Sequence, residues 1–168
     1  LNFSTSYTYD VFDQLTGVAQ GSQSRTFTYD SLARLYQATN PESGTTTYTY
    51  FPGGELKTCT DAANSVTTYT YDGLNRVKTK VYSGGPATPN VTYTYDEPAV
   101  AESKGRLTKA QTSASTSQIL AYDQLGRVLQ SSQTTGSRTY PFEYTYDRAG
   151  NLATEKYPSD RLVTVTYD

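Results

Sequence analysis

Histidine is absent from this 168-residue chain, and cysteine occurs once. Without an imidazole there is no Ser-His-Asp or Cys-His arrangement and no imidazole-ligated metal. The lone Cys59 has no internal disulfide partner and reads as a small, half-buried strand residue. No run of about 18 apolar residues exists, which excludes a membrane helix. Lys and Arg number 14 against 16 Asp and Glu, for a net charge of -2, so there is no basic stripe to hold nucleic acid. Large apolar residues other than Tyr are scarce as well: Leu, Ile, Val and Phe make up only 28 of 168 residues. A content that low borders on disorder, but disorder also calls for high net charge and few aromatics.

Tyrosine fills the gap. There are 17 of them, and each ring buries about 150–250 Å² while its hydroxyl stays at a wet edge. They are also ordered along the chain. The pair Tyr-Asp stands at Tyr9-Asp10, Tyr29-Asp30, Tyr71-Asp72, Tyr95-Asp96, Tyr122-Asp123, Tyr146-Asp147 and Tyr167-Asp168, with an eighth copy, Tyr50-Phe51, lacking its Asp. The steps between these tyrosines are 20, 21, 21, 24, 27, 24 and 21 residues. A period of that size marks a repeat array.

Two residues before each of these tyrosines sits another apolar side chain, as in Thr26-Phe27-Thr28-Tyr29 and Thr68-Tyr69-Thr70-Tyr71. The alternation predicts strands with one aromatic face and one threonine face. Four past the Tyr come Asp13, Ala33, Gly54, Asn75, Gly126 and Gly150, mostly types that tolerate positive φ. Six past it come Leu15, Leu35, Leu56, Val77, Val128 and Leu152, which reopen a strand. A second turn, such as Asn40-Pro41-Glu42-Ser43-Gly44 or Ser83-Gly84-Gly85-Pro86, leads to the next Tyr-Asp. Each period is therefore two strands and two turns, and no segment has helical periodicity. The expected fold is all-β: about 14–16 antiparallel strands in an array of hairpins. At about 4.8 Å per strand such a sheet extends for roughly 70 Å, and a sheet that wide curves or closes.

One period departs from the pattern. Leu107 stands twelve past Tyr95, so residues 97–104 carry a six-residue insertion, expected as a longer loop on the same edge and dispensable for folding. The chain opens within a period at Leu1 and stops at Asp168, ahead of the turn its last pair would start. Residues 1–168 are thus expected to be one array of seven full periods with partial ends, a fragment of a longer protein.

The pattern resembles the YD-repeat, or Rhs, family, whose unit runs roughly Arg-Tyr-x-Tyr-Asp, two residues, then Gly-Arg-Leu. The best copies are residues 122–128, Tyr-Asp-Gln-Leu-Gly-Arg-Val, and residues 71–77, Tyr-Asp-Gly-Leu-Asn-Arg-Val. Arg25 to Asp30 with Arg34-Leu35 supplies the upstream half. Gln14, Glu55 and Asn151 replace the Arg, and Phe51 replaces one Asp. The resemblance to Rhs proteins, Tc-toxin shell components and teneurins implies a curved sheet that forms part of a shell. It implies a secreted or bacterial cell-surface protein. Its partners would be the remaining repeats and a C-terminal toxin or effector that the shell encloses or displays. The family's Asp-Pro-x-Gly-type core segment, associated with self-cleavage, is not in the chain.

The repeat residues carry structural roles in this reading. Asp10, Asp30, Asp72, Asp96, Asp123, Asp147 and Asp168 accept backbone N–H groups of their turns. Arg34, Arg76, Arg106 and Arg127 pair with those carboxylates. Gly126 and Gly150 serve the turns. Tyr9, Tyr29, Tyr50, Tyr71, Tyr95, Tyr122, Tyr146 and Tyr167 form a cross-strand ladder. Carboxylates on neighbouring hairpins lie about 10 Å apart, too far to share a calcium ion. No acid pair stands out for glycoside hydrolysis, so no catalytic residue, metal or cofactor is assigned. The outward Thr, Ser and Lys give no lipid-facing band for a barrel. The alternative function is surface adhesion or glycan binding through tyrosines outside the ladder: Tyr36, Tyr140 and above all Tyr82 and Tyr157. Open edge strands would let the fragment self-associate.

Overall fold

The computed structural model describes residues 4–167. Among them are fifteen β-strands and no helix. Two compact units divide at Thr88 and Pro89. The first holds β1 (Thr5–Tyr9), β2 (Leu15–Gln20), β3 (Gln23–Tyr29), β4 (Leu35–Asn40), β5 (Gly44–Tyr50), β6 (Leu56–Thr60), β7 (Val66–Tyr71) and β8 (Val77–Ser83). The second holds β9 (Val91–Tyr95), β10 (Leu107–Gln111), β11 (Ser115–Tyr122), β12 (Val128–Thr135), β13 (Arg138–Tyr146), β14 (Leu152–Lys156) and β15 (Leu162–Thr164). Within each unit every strand pairs antiparallel with its sequence neighbours, so each unit is a run of hairpins.

Two kinds of contact alternate along a unit. Inside a Tyr-Asp hairpin the ladder reaches the loop, as Tyr71 faces Val77 and Thr70 faces Thr79. The skipped residue, Lys78, is a bulge, and the hairpins of Tyr9, Tyr29, Tyr50, Tyr95 and Tyr146 shift register at the corresponding place. A bulge bends its strand and adds right-handed twist. Between hairpins the ladder stops short: β4 and β5 pair from Asn40–Gly44 only as far as Gln37–Thr47. The same early stop separates β2 from β3 and β6 from β7. Consecutive hairpins are therefore joined at the second-turn end and part towards the Tyr-Asp end.

The two faces differ as the alternation requires. In β7, Tyr69 and Tyr71 are half-buried and Thr70 is exposed. On the threonine face hydroxyls pair across strands, Thr49 with Thr58, Thr70 with Thr79 and Thr145 with Thr154, each at 2.6 Å. Cys59 faces Tyr48 across β5 and β6, half-buried, and burial raises its thiol pKa.

The insertion after Tyr95 is not a loose loop. Val100 and Ser103 lie 7% and 5% exposed, among the most buried side chains described. Ala101 forms a parallel bridge to Ala121, where its carbonyl takes the Tyr122 N–H at 3.3 Å. The insertion thus fills the gap that elsewhere opens between hairpins, here between β10 and β11. Ser103 Oγ donates to the Glu97 carbonyl at 2.8 Å, and Lys109 Nζ pairs with Glu97 at 3.1 Å. The insertion expected as a longer loop is therefore packed against β11: the sequence spacing records six extra residues but not where Val100 goes.

Candidate functional site

The repeated feature is a latch built from the Tyr, Asp and Arg of the unit. It begins at the loop. Asp30 Oδ1 accepts the N–H groups of Leu32 and Arg34 at 2.9 and 3.0 Å. Its backbone N–H reaches the Arg34 carbonyl at 2.9 Å, and Ala33 closes the turn with φ of 62°. Asp72 and Asp123 repeat this with Leu74 and Arg76, and with Leu125 and Arg127. Gly126, φ 81°, and Gly150, φ 91°, occupy the corresponding turn position, where a Cβ would be strained. Asp10 binds the N–H groups of Phe12 and Gln14. The loop at Phe51 keeps its backbone bonds without a carboxylate, from Phe51 N–H to Glu55 and from Gly54 N–H to Phe51.

The second carboxylate oxygen takes the arginine. Arg34 Nε lies 2.8 Å and Nη2 2.7 Å from Asp30 Oδ2. Arg76 holds Asp72 at 2.7 Å through both nitrogens, and Arg127 Nε holds Asp123 at 2.6 Å. Where Asn151 replaces Arg, its Nδ2 donates to Asp147 Oδ2 at 3.1 Å. The Arg34 side chain, above all, holds the Asp30 carboxyl below its ordinary pKa, and the Arg76 backbone N–H does so first for Asp72. Arg106 behaves otherwise than the turn pairing expected of it. The insertion displaces it, and it donates to the Glu102 and Lys104 carbonyls, while Asp96 Oδ1 accepts the Gly105 N–H.

The tyrosine then crosses to the preceding hairpin. Tyr29 Oη donates to the Leu15 carbonyl at 2.9 Å, Tyr50 to Leu35 at 2.7 Å and Tyr71 to Leu56 at 2.8 Å. In the second unit Tyr122 reaches Leu107, Tyr146 reaches Val128 and Tyr167 reaches Leu152. These carbonyls lie past the end of the inter-hairpin ladder. The ring is thus a wedge in the space where hairpins part, and its hydroxyl satisfies backbone that the ladder leaves behind. Arginine stacks on the wedge from the previous loop. Arg34 lies 4.6 Å from the centre of the Tyr50 ring, Arg127 4.6 Å from Tyr146 and Arg106 5.6 Å from Tyr122.

The tyrosine hydroxyls are therefore not at a wet edge. Burial raises the pKa of Tyr50, Tyr71, Tyr122 and Tyr146. Tyr9, 56% exposed, is the ladder tyrosine of the first described hairpin, and Tyr167 is 55% exposed. Tyr95 is half-buried, paired with Leu107. Asp168 lies outside the described residues. Of the tyrosines outside the ladder, Tyr36 and Tyr140 are exposed, whereas Tyr82 and Tyr157 are half-buried. Tyr157 donates to Glu155 at 3.0 Å and meets Phe142 edge-on at 5.9 Å, so its ring is engaged within the protein. Among the described residues no group of three His, Cys, Asp or Glu side chains could hold a metal, and no helix is long and apolar enough to cross a membrane.

Sequence reasoning placed the loop residues but missed the wedge and the stack. Their signal was present: Tyr50, Tyr71 and Tyr122 each bond a carbonyl 15 residues upstream, an offset fixed by the Leu that reopens the strand.

Residues 52–88 match the family model of the RHS repeat. No curated protein matches the chain. Solved structures match it closely in fold. A crystal structure of TcdB2-TccC3-Cdc42 superposes with a TM-score of 0.81 at 13% identity, over 99% of this chain and 10% of that one. TcdB2-TccC3 gives 0.79 at 12% identity, over 99% and 10%. The Tc holotoxin pore of Photorhabdus luminescens, with a TccC3 mutation, gives 0.76 at 14% identity, over 98% and 10%. The chain spans about a tenth of the length of these solved chains. The RHS repeat is thus matched in the middle of the chain, and the same Tyr-Asp unit and hairpin recur before and after it.

Proposed function

We propose that this chain is a non-catalytic wall segment of a longer YD-repeat shell that encloses or displays a C-terminal toxin or effector. The carrying observation is the latch. Its residues are consumed in joining one hairpin to the next: Asp by its loop, Arg by Asp and the following ring, Tyr by the preceding carbonyl. Residues 1–168 act in this reading as one stretch of that array, and the partners of the wall are its other repeats and the enclosed cargo. The fold likeness to TcdB2-TccC3 chains ten times longer supports the reading. So does the family's setting, in which the protein acts after secretion or at the cell surface.

The test uses the full-length protein that carries this segment. Protease should spare the region downstream of the repeats while the wall is intact. Replacing Tyr50 and Tyr71 together by Ala, which removes two wedges, should expose that region to cleavage. A downstream region cut equally fast in the native and the unfolded protein would sink the enclosure reading.

A further inference from the structure

A wedge tyrosine and the loop before it bracket a slot for one guanidinium. Arg34 shows the three contacts that define it. Its Nε lies 2.8 Å from Asp30 Oδ2, its plane sits 4.6 Å from the centre of the Tyr50 ring, and its Nη1 donates to the Phe51 carbonyl at 3.3 Å. Arg127 makes the first two in the second unit, with Asp123 and Tyr146.

Between the first two hairpins Gln14 stands in the arginine position. Its amide donates to the Ala33 carbonyl at 3.3 Å, as Arg34 does to that of Phe51, and so supplies one contact of the three. The other two are not made within the chain. Asp10 Oδ1 takes the N–H groups of Phe12 and Gln14, whereas Oδ2 meets no donor among the described residues. Tyr29 gives its hydroxyl to the Leu15 carbonyl, but no described cation lies on its ring. A cleft of about 490 Å³ opens there, with Asp10, Phe12, Gln14, Tyr29 and Ala33 in its walls. Asp30 also lines it and is matched by Arg34, whereas Asp10 and Asp13 form no ion pair among the described residues. The other two losses of arginine differ. Beside Glu55, Phe51 meets the Tyr71 ring edge-on at 6.2 Å, and Asn151 takes the Asp147 oxygen itself.

We propose that the cleft between the first two hairpins binds an arginine side chain of a partner polypeptide. Its guanidinium lies between Asp10 Oδ2 and the Tyr29 ring, in the place that Arg34 takes one hairpin further on. The unmatched carboxylates call for a cation. A planar guanidinium meets a carboxylate and covers a ring at once, which an ammonium does less well. The rim suits a polypeptide better than a free cation. Phe12, 81% exposed, and Leu32, 66% exposed, stand on the two loops that bound the cleft and offer apolar surface to the residues beside the arginine. The inference stands apart from the shell reading.

An NMR titration of the 168-residue chain with N-acetyl-Leu-Arg-Leu-amide tests it. Exposed ion pairs and ring contacts are individually weak, so the expected dissociation constant is about 1 mM. Saturable shifts should appear at residues 10–14 and at the Tyr29 ring. The same peptide with citrulline for arginine keeps the shape without the charge and should bind more than about fivefold more weakly. Gln14→Arg fills the slot from within and should weaken the arginine peptide by more than about fivefold as well. If that variant misfolds, Asp10→Asn, which keeps an oxygen for the loop N–H groups, should have the same effect. Absence of saturable shifts at residues 10–14 overturns the site, and so does a smaller loss with citrulline or with a folded variant. Equal shifts at Tyr50, whose slot holds Arg34, would mean general adhesion of arginine and overturn it too. N-acetyl-arginine-amide binding as tightly as the tripeptide would overturn the polypeptide as its occupant.

Discussion

Tyr71 makes two separable contributions. Its ring fills the space between hairpins, and its hydroxyl satisfies the Leu56 carbonyl at 2.8 Å. Tyr71→Phe keeps the wedge and leaves that carbonyl without its donor, for an expected loss of about 1 kcal/mol. Tyr71→Ala removes the wedge as well and should cost about 3 kcal/mol. Thr70→Ala on the exposed face loses one hydroxyl pair and should cost less than about 1 kcal/mol. Urea unfolding of the three variants checks the order; equal losses for Tyr71→Ala and Thr70→Ala would mean the faces contribute alike. The same residues set the pH limits. Asp30 and Asp72 have folded pKa values below the ordinary 3.8, so their contribution is complete above that value and is lost as pH falls through the folded pKa. Tyr50, Tyr71, Tyr122 and Tyr146 have folded pKa values above the ordinary 10.0, so their contribution is complete below that value and is lost as pH rises through the folded pKa. A phenolate has no proton to give the carbonyl. Tm should therefore be level through neutral pH and fall at both extremes. Alkaline unfolding should coincide with the tyrosinate absorbance change, and a titration that precedes any loss of strand signal would contradict the wedge.

At the scale of the element, the hairpins were legible because alternation, turn residues and period agree with one another. Thr70 and Tyr71 on opposite faces follow from period 2 alone, and Ala33 at φ of 62° follows from its place in a loop that elsewhere takes Gly, Asn or Asp. What period 2 does not contain is the space between hairpins. The partner of the Tyr71 hydroxyl depends on the ladder stopping early, a property of two hairpins together. The insertion escaped for a related reason. Its length departs from the repeat, but its packing depends on Ala101 finding Ala121 two strands away, and nothing local encodes that bridge. The consequence is measurable. Deleting residues 97–102 removes buried Val100 and the bridge, and should unfold or severely destabilise the second unit. Val100→Ala should cost about 1–3 kcal/mol. Denaturant unfolding of a deletion variant as stable as the parent would return the insertion to the status of a free loop.

At the scale of the molecule, the shortage of aliphatic residues becomes a shortage of core. Among the described residues, Ala38, Val100 and Tyr122 are the buried apolar side chains. The accessible surface is 11303 Å². A compact protein of 18.5 kDa would expose about 8,200 Å². The chain thus buries roughly 60% of its unfolded surface, the fraction expected for a domain of only about 60 residues. Stability must then come chiefly from each hairpin's contact with its neighbours, where the latch sits, and behaves as a sum of repeat and nearest-neighbour terms. Within a unit an interior hairpin has two neighbours, whereas a terminal one has one and contributes less. Adding repeats should raise Tm and the urea m-value together, because each added hairpin contributes a new latched contact as well as its own burial. Removing β1 and β2 should lower both modestly and leave the rest folded, since only one such contact, Tyr29 on Leu15, is lost. Chains shortened and lengthened by whole hairpins, compared by urea and thermal unfolding, provide the measurement. A Tm indifferent to hairpin number would mean that each hairpin stands by itself and that the latch joins without stabilising.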